Sequence, residues 1–524
     1  MPRAGDSSAQ RSPLEARGYL IEEYTQTLCP LCFQDGPCRS TEPRLFKEGM
    51  LVSHGGKVWM RRFCEVHGET ESLYEEDLEL WRARRGWSVP TSTLTPDRPG
   101  NMAPFPLNYQ AGLPASHGQH TCILLLNLTA ACDSGCCFCY AGADPADNAG
   151  APVPTIEQVL YTVQTIIERE GGRLGVLMLS GGEPTLRADL AGIIEKLAEL
   201  PITRIMLNTN GLTLGSQPVL LETLARLSPK VEAYLQFDGF KPGTYQMLRN
   251  LPDASAKLKA VELLNEARVF FTLVPTVVQG INEDEVGAIV KFGLAQPYCG
   301  GVAIQPAFLA GRFPQVDPAA RATPTGVLRR LGEQTGGLVR AADFIALPCS
   351  HADCCDITYL LQGPRGRWRS LTAVVGRERL RRWLHLAANT VSFDDVSRQA
   401  LELVRSGSLK RALSQAEPIA GLQLRQDLAH VCACVPSLGG LLQSLWKPMR
   451  RGREKAEAAE QAHTRLMQRI FRITIKQFMD AHTFHYSRLR QCCVHTGTYE
   501  ANPRRYSMCW RWLFADAADF PVGG

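Results

Sequence analysis

Between Thr121 and about Pro306 the chain alternates short apolar runs with longer amphipathic stretches, and this alternation leaves few folds open. The short runs are CILLLNL (122–128), LGVLMLS (174–180), RIMLN (204–208), VEAYLQF (231–237), FFTLVPTV (270–277) and GVAIQP (301–306). Helical patterns fill about 155–169, 187–199, 217–227, 253–267 and 283–295. A strand followed by a helix thus recurs about every 30 residues, as a βαβ unit requires. Such units build a parallel sheet with right-handed crossovers, and the sheet curls. The pattern predicts an α/β fold centred on a partial, six-stranded (β/α)6 barrel of the TIM type. Functional groups are then expected at the carboxyl ends of the strands.

With 524 residues the chain exceeds the size at which one hydrophobic core stops growing, so smaller modules should flank the barrel. The sequence divides into a flexible tail (1–18), a small knuckle domain (19–86), a Pro- and Ser-rich linker crossing the surface (87–120), the barrel (121–310) and a C-terminal domain (311–524) that reads as helical from about Phe393 to Met479. Hydrophobic residues at 45% and charged residues at 21% exclude a disordered or fibrous chain. The net charge of +5 is small, and the Arg runs at Arg365–Arg382 and Arg450–Arg453 lack interleaved aromatics, so no nucleic-acid partner is expected. No stretch approaches the roughly 20 apolar residues of a membrane span, and the first residues lack the apolar core of a signal peptide. A cytoplasmic enzyme is the expectation. Trp446 beside the basic run near Arg450 suggests peripheral membrane contact, although solvated charge is the simpler reading.

The 18 cysteines sharpen the functional question. A long chain without an export signal has little use for a disulfide framework, which leaves metal ligation. The cysteines cluster accordingly, at 29/32/38/64, 132/136/137/139, 349/354/355 and 492/493/509, with Cys122, Cys299, Cys432 and Cys434 more isolated. Cys132, Cys136 and Cys139 have the spacing CxxxCxxC directly after the first strand. Three thiolates on one loop can hold three irons of a cubane and leave the fourth without a protein ligand. An open iron of that kind can deliver an electron that no side chain can supply. Near the amino end, Cys29, Cys32, Cys64 and His67 combine a CxxC with a CxxH, a Cys3His set suited to structural zinc or to iron, with Cys38 as a competing ligand.

The segment NLTAACDSGCCFCYAGA resembles the radical S-adenosylmethionine (SAM) superfamily, whose members carry CxxxCxxC after the first strand and an aromatic residue before the last cysteine, here Phe138. SGGEPT at 180–185 is similar to the glycine-rich motif that the superfamily places at the end of the second strand. The resemblance implies a 4Fe-4S cluster on Cys132, Cys136 and Cys139 with SAM as cofactor, and no catalytic side chain is assigned beyond the cluster. Gly181 and Gly182 would let backbone approach SAM, and Glu183 would orient its ammonium group unless it serves only as a helix-terminal carboxylate. Asn208, Thr209, Asn210 and Gly211 after the third strand, and Gln236 and Asp238 at the end of the fourth, would face the same cavity. Cys137 is a spare thiol read as a bystander.

A narrower resemblance spans both ends of the chain. TLCPLC, RRFCEVHGE, QFDG, PCSHADCC and FMDAHTFHYSRLRQCCVH are similar to the radical SAM subfamily that includes the archaeal tetraether lipid synthase and dihydropterin methylases. It implies one or two auxiliary 4Fe-4S clusters drawing on Cys349, Cys354, Cys355, Cys492, Cys493 and Cys509. Adjacent cysteines rarely ligate one ion together, so each pair should feed two sites or include a bystander. His351 and His495 read as surface histidines. The resemblance further implies hydrogen abstraction and C–C bond formation on a lipid chain, with methyl transfer to a pterin or other small molecule as the alternative and an iron-sulfur scaffold or electron-transfer role as the non-enzymatic one. A ferredoxin- or flavodoxin-like electron donor follows from the same chemistry.

Overall fold

The computed structural model describes residues 14, 17–35, 43–87, 95–97, 102–143, 145, 153–347, 349–363, 366–377 and 464–514. Cys38, Cys432, Cys434, the tail before residue 14, the basic run Arg450–Arg453 and most of the expected helical stretch lie outside the described residues.

At the amino end, four antiparallel strands form a meander: β1 (Leu20–Leu28), β2 (Phe46–His54), β3 (Lys57–Cys64) and β4 (Gly68–Glu75). Alternation in β3 buries Val58, Met60 and Arg62 on one face. Arg62 donates from Nη1 to the carbonyls of Leu28, Ala481 and His482, which ties this small sheet to the C-terminal segment.

The second sheet carries the centre of the molecule. Its parallel strands are β5 (Ile123–Thr129), β6 (Leu174–Gly181), β7 (Ile202–Thr209), β8 (Val231–Gln236), β9 (Phe271–Val274) and β11 (Cys299–Pro306), with the two-residue β10 (Thr276–Val277) also pairing with β11. These match the six sequence-read strands. Their helices follow the expected spacing, and the first, Ile156–Arg169, opens with a capping box between Thr155 and Gln158. Residues alternate between two cores. Leu124, Leu126, Leu177, Leu179 and Leu207 pack under the helices, while Ile123, Leu125, Met178, Met206, Tyr234 and Val274 fill the inside of the curled sheet.

The sheet then departs from the expectation in two ways. It gains strands from the C-terminal part: β12 (Ile345–Ala346), β13 (Cys355–Gln362), β14 (Trp368–Ser370), β15 (Ile470–Lys476), β16 (Val494–Gly497) and β17 (Arg505–Ser507). β15 extends the parallel set beyond β11 and β16 extends it beyond β5, giving the order β12-β13-β15-β11-β9-β8-β7-β6-β5-β16-β17. Residues 470–476, read as helical from sequence, form a central strand because IFRITIK is a short apolar run rich in β-branched residues. The sheet is curled and open, ending among the described residues on β12 and β17, as the expected partial barrel requires.

The expected surface linker is the other correction. Among its described residues Asn108, Tyr109, Leu113 and His117 are buried, and Asp97 binds Arg505, Arg169 and the N–H of Leu113. Its Pro and Ser content signals irregular backbone, not exposure.

Candidate active site and metal centres

An open cavity of about 910 Å³, mouth included, lies at the carboxyl ends of the parallel strands. Its wall includes Cys132, Cys136 and Cys139, together with Phe138, Gly181, Gly182, Glu183, Asn208, Thr209, Asn210 and Gln236. Ser134, Tyr140, Arg249, Thr276, Gln305 and Phe478 complete much of the rest. The structure therefore brings nearly all of the sequence-selected residues around one space. Asp238 and Gly211 are the exceptions: Asp238 is fully buried behind the wall, and Gly211 packs against Leu235 and Ala260 instead.

The glycines act differently from expectation. A methyl group on Gly181 would overlap the Thr129 carbonyl, and one on Gly182 would overlap the carbonyls of Ala130 and Ala131. Gly181 also holds φ +125°, which side chains disfavour. The freed space lets the N–H groups of Gly182 and Glu183 donate at 2.8 Å to Thr129 and Ala131. The glycine-rich turn thus grips the backbone leading into the cysteine loop, while both glycines also line the cavity. Glu183 braces this arrangement. Its Oε1 accepts the N–H and hydroxyl of Thr185 and the hydroxyl of Thr209 at 3.1, 2.6 and 2.7 Å, and Oε2 accepts the Asn210 N–H at 2.6 Å. Burial raises the pKa of its carboxyl against these donors. The expectation that Glu183 orients a ligand ammonium therefore meets a carboxylate already holding four protein donors, one of them the helix-terminal N–H of Thr185.

The far end of the cysteine loop is held by Arg312, which follows β11. Cys139 and Arg312 exchange backbone hydrogen bonds at 2.8 and 2.9 Å, and the Arg312 side chain donates to the carbonyls of Cys136 and Ala143, each at 2.8 Å. Arg249, at the end of the helix Pro242–Arg249, donates to both Asp238 oxygens at 2.7 and 2.9 Å and to Thr276 Oγ1 at 2.8 Å. Its positive charge also lies within electrostatic reach of the Cys136 thiol. Burial pushes the Cys136 pKa up, but Arg249 and Ser134 outweigh it and the net direction is down. Asp238 is likewise lowered, with Arg249 overcoming burial. Lys257, buried beside this group and bonded to the Asn210 carbonyl, is lowered to about 8, chiefly by burial and then by Arg249. Sequence reasoning missed Arg249, Lys257 and Arg312, whose local sequence carries no motif. Cys137 turns away to the carbonyls of Met247 and Leu248.

At the amino end, Cys29, Cys32, Cys64 and His67 converge. Cys32 Sγ stands 3.5 Å from Cys64 Sγ and 3.3 Å from His67 Nδ1, and Cys29 and Cys64 lie 3.6 and 3.7 Å from the same nitrogen. Ligand atoms of a tetrahedral zinc site stand about 3.5–4 Å apart, so the set fits one ion.

The six cysteines expected to form auxiliary centres separate. Cys349 and Cys493 meet Cys122, which sequence reading had left isolated. Cys354, Cys492 and Cys509 are within electrostatic reach of one another. Cys354 Sγ accepts from Arg488 Nε at 3.4 Å, and Cys509 Sγ accepts the Met479 N–H at 3.2 Å. Cys355 is within electrostatic reach of Cys349 and Cys354, one from each group. It lines a second cavity with Tyr234, Arg472 and Lys476, its thiol pushed up to about 12 by burial. His351 and His495 are buried rather than superficial: His351 Nδ1 accepts the Asp353 N–H, and His495 sits between His117 and Thr121.

A family model described as the Radical SAM superfamily matches residues 126–293, and one described as the HMPTM N-terminal zinc ribbon domain matches residues 21–76. The chain is 25% identical over 507 residues to 7,8-dihydro-6-hydroxymethylpterin dimethyltransferase of Methanocaldococcus jannaschii, covering 91% of each chain. It is 29% identical over 185 residues to GTP 3′,8-cyclase 1 of Pseudomonas aeruginosa, covering 34% of this chain and 53% of that one, so it spans about half the cyclase. Among solved structures, Streptococcus suis SuiB bound to its precursor peptide SuiA aligns over 42% of this chain and 46% of that one, at 16% identity and a TM-score of 0.35.

Proposed function

The chain is an enzyme of the radical SAM superfamily, using SAM and a 4Fe-4S cluster, and from that premise we propose that it transfers a one-carbon group to a pterin or a related small heterocycle. The observation that carries the substrate reading is the cavity wall. Asn208, Asn210, Gln236, Arg249, Thr276 and Gln305 place a few hydrogen-bonding groups in a wall that Phe138, Tyr140, Phe308 and Phe478 make otherwise largely apolar, which suits a flat heterocycle held by a few directed contacts. A lipid chain would be better served by a long apolar tunnel. The full-length likeness to a pterin dimethyltransferase supports the same substrate class.

The residues present fit the cluster: Cys132, Cys136 and Cys139 share one loop and line one cavity, three thiols with no disulfide among them. Cys132, Cys136 and Cys139 would hold the cluster, which when bound would supply the electron for reductive cleavage of SAM. The chain does the rest. Gly182 and Glu183 fix the start of the loop through Thr129 and Ala131, and Arg312 fixes its end. Arg249, held by Asp238, sets its positive charge near the Cys136 sulfur and so would bear on the cluster's potential. Phe138 and Tyr140 limit water at the reacting end. The Cys3His group holds a structural ion in the amino-terminal ribbon.

The test is anaerobic reconstitution with iron and sulfide, followed by assay with 13C-methyl SAM and either a reduced 6-hydroxymethylpterin or a glycerol-ether lipid. Pterin-dependent formation of 5′-deoxyadenosine and of a product one carbon heavier supports the proposal. Stimulation by the lipid alone would overturn it in favour of lipid coupling.

A further inference from the structure

The inner faces of the strands change character as they reach the reaction cavity. Met178, Met206, Tyr234 and Ala303 point inward and pack into one core. Two residues further along β6, β7, β8 and β11, the same faces carry Ser180, Asn208, Gln236 and Gln305. Three of these are carboxamides, and all three line the cavity. Each directs its amide nitrogen into the protein. Asn208 Nδ2 donates to Ser180 Oγ at 2.9 Å, and Gln236 Nε2 donates to the Val274 carbonyl and to Asp238 at 2.7 and 2.9 Å. Gln305 Nε2 donates to the Tyr234 hydroxyl at 3.2 Å, and the Lys476 ammonium donates to the same oxygen at 3.4 Å.

Among the described residues no donor reaches the side-chain oxygen of Asn208, Gln236 or Gln305. Their polar neighbours in the wall are already engaged: Asn210 donates to Asp133 and accepts from the Leu212 N–H, and Arg249 is held by Asp238 and Thr276. The cavity is therefore biased toward acceptors. A ligand edge built of carbonyl oxygens would leave these groups dry and opposed, whereas an edge of N–H groups satisfies them. Gln236 belongs with the residues expected at SAM, which leaves Asn208 and Gln305 for the substrate. They bracket one side chain, since Tyr234 is the ladder partner of Asn208 and receives the Gln305 amide. We propose that Asn208 and Gln305 select the substrate, their carboxamide oxygens accepting the amino and ring N–H groups along one edge of a flat amino-heterocycle. A pterin presents such an edge on its aminopyrimidinone ring. The inference deepens the pterin reading and rests on it.

The experiment measures equilibrium binding of a reduced 6-hydroxymethylpterin, and of the matching lumazine with an oxo group in place of the ring amino group. The reconstituted full-length enzyme is used with SAM present and no reductant. Wild type should bind the pterin at least about tenfold more tightly than the lumazine. Gln305→Met and Asn208→Leu should each weaken the pterin about tenfold and bring the two ligands level to within about threefold. Gln305→Glu, which keeps an acceptor oxygen, should keep the preference. Asn208→Ala and Gln305→Ala replace any apolar variant that lacks the EPR signal of an intact reduced cluster. A preference unchanged in both apolar variants overturns the proposal, and so does an equal loss of both ligands, which marks a purely structural role. Equal binding of the two ligands by wild type overturns it as well. A wild type that binds neither heterocycle, yet forms 5′-deoxyadenosine with a glycerol-ether lipid, defeats the pterin reading itself, and that failure is visible without any variant.

Discussion

Arg249 grips Asp238 through two hydrogen bonds of 2.7 and 2.9 Å, wholly inside the protein, and its guanidinium also reaches the Cys136 sulfur. The carboxylate expected to face SAM thus orients a cation near Cys136, one of the three thiols proposed to hold the cluster. Hydrogen bonds and positive charge at the sulfurs raise a cluster's potential. Arg249→Lys, which loses the planar fork, should shift the midpoint of the SAM cluster to more negative values in an EPR-monitored titration and slow SAM cleavage. An unchanged midpoint in a fully loaded variant would remove Arg249 from this role.

Gly182→Ala tests the grip of the glycine-rich turn on the cysteine loop. The added methyl overlaps the backbone carbonyls of Ala130 and Ala131, which have no alternative place to go. SAM cleavage should fall at least about 100-fold, since a misplacement near 1 Å in a reactive site costs about that much. Metal in the amino-terminal ribbon should be retained. Cleavage within a few-fold of wild type would show that the contact is tolerated.

The six inner strands and the cavity they end on were legible in the sequence because strand, helix and motif recur in step, so each run supports the others. What sequence could not show was pairing across long separations. IFRITIK at 470–476 lies far from its neighbour β11 in the chain, and nothing local says that it completes a parallel sheet. Cys122 looked isolated for the same reason: its partners lie more than 200 residues away. Glu183 was legible as a residue of the site, yet its partners on the next loop, Thr209 and Asn210, decide that it braces protein.

The ribbon ion should matter for stability before chemistry. Cys29→Ala removes one ligand of a site that joins β1 to the turn after β3. The melting temperature should drop by several degrees and one metal ion should be lost, while SAM cleavage per intact SAM cluster stays near wild type. Loss of cleavage in a well-folded variant with that cluster intact would contradict this division of labour.

His482 makes stability depend on pH. Burial, followed by the Arg321 and Arg62 charges and opposed by Asp480, lowers its pKa from 6.5 to about 4. Between those values the unfolded chain binds a proton that the folded chain refuses, so stability is full above about pH 6.5 and is lost as pH falls toward 4. Replacing His482 with Gln should make denaturant-unfolding midpoints fall less steeply across that interval, leaving the share of His117, His351 and His495, which burial lowers likewise. An equally steep acid loss in the variant would assign the effect to other groups.

The most direct measurement is SAM cleavage by the full-length chain with Cys132, Cys136 and Cys139 all changed to Ala, reconstituted and reduced anaerobically beside wild type. Formation of 5′-deoxyadenosine should vanish in the variant while the ribbon ion remains bound. Undiminished 5′-deoxyadenosine would contradict the assignment of the cluster to these three thiolates.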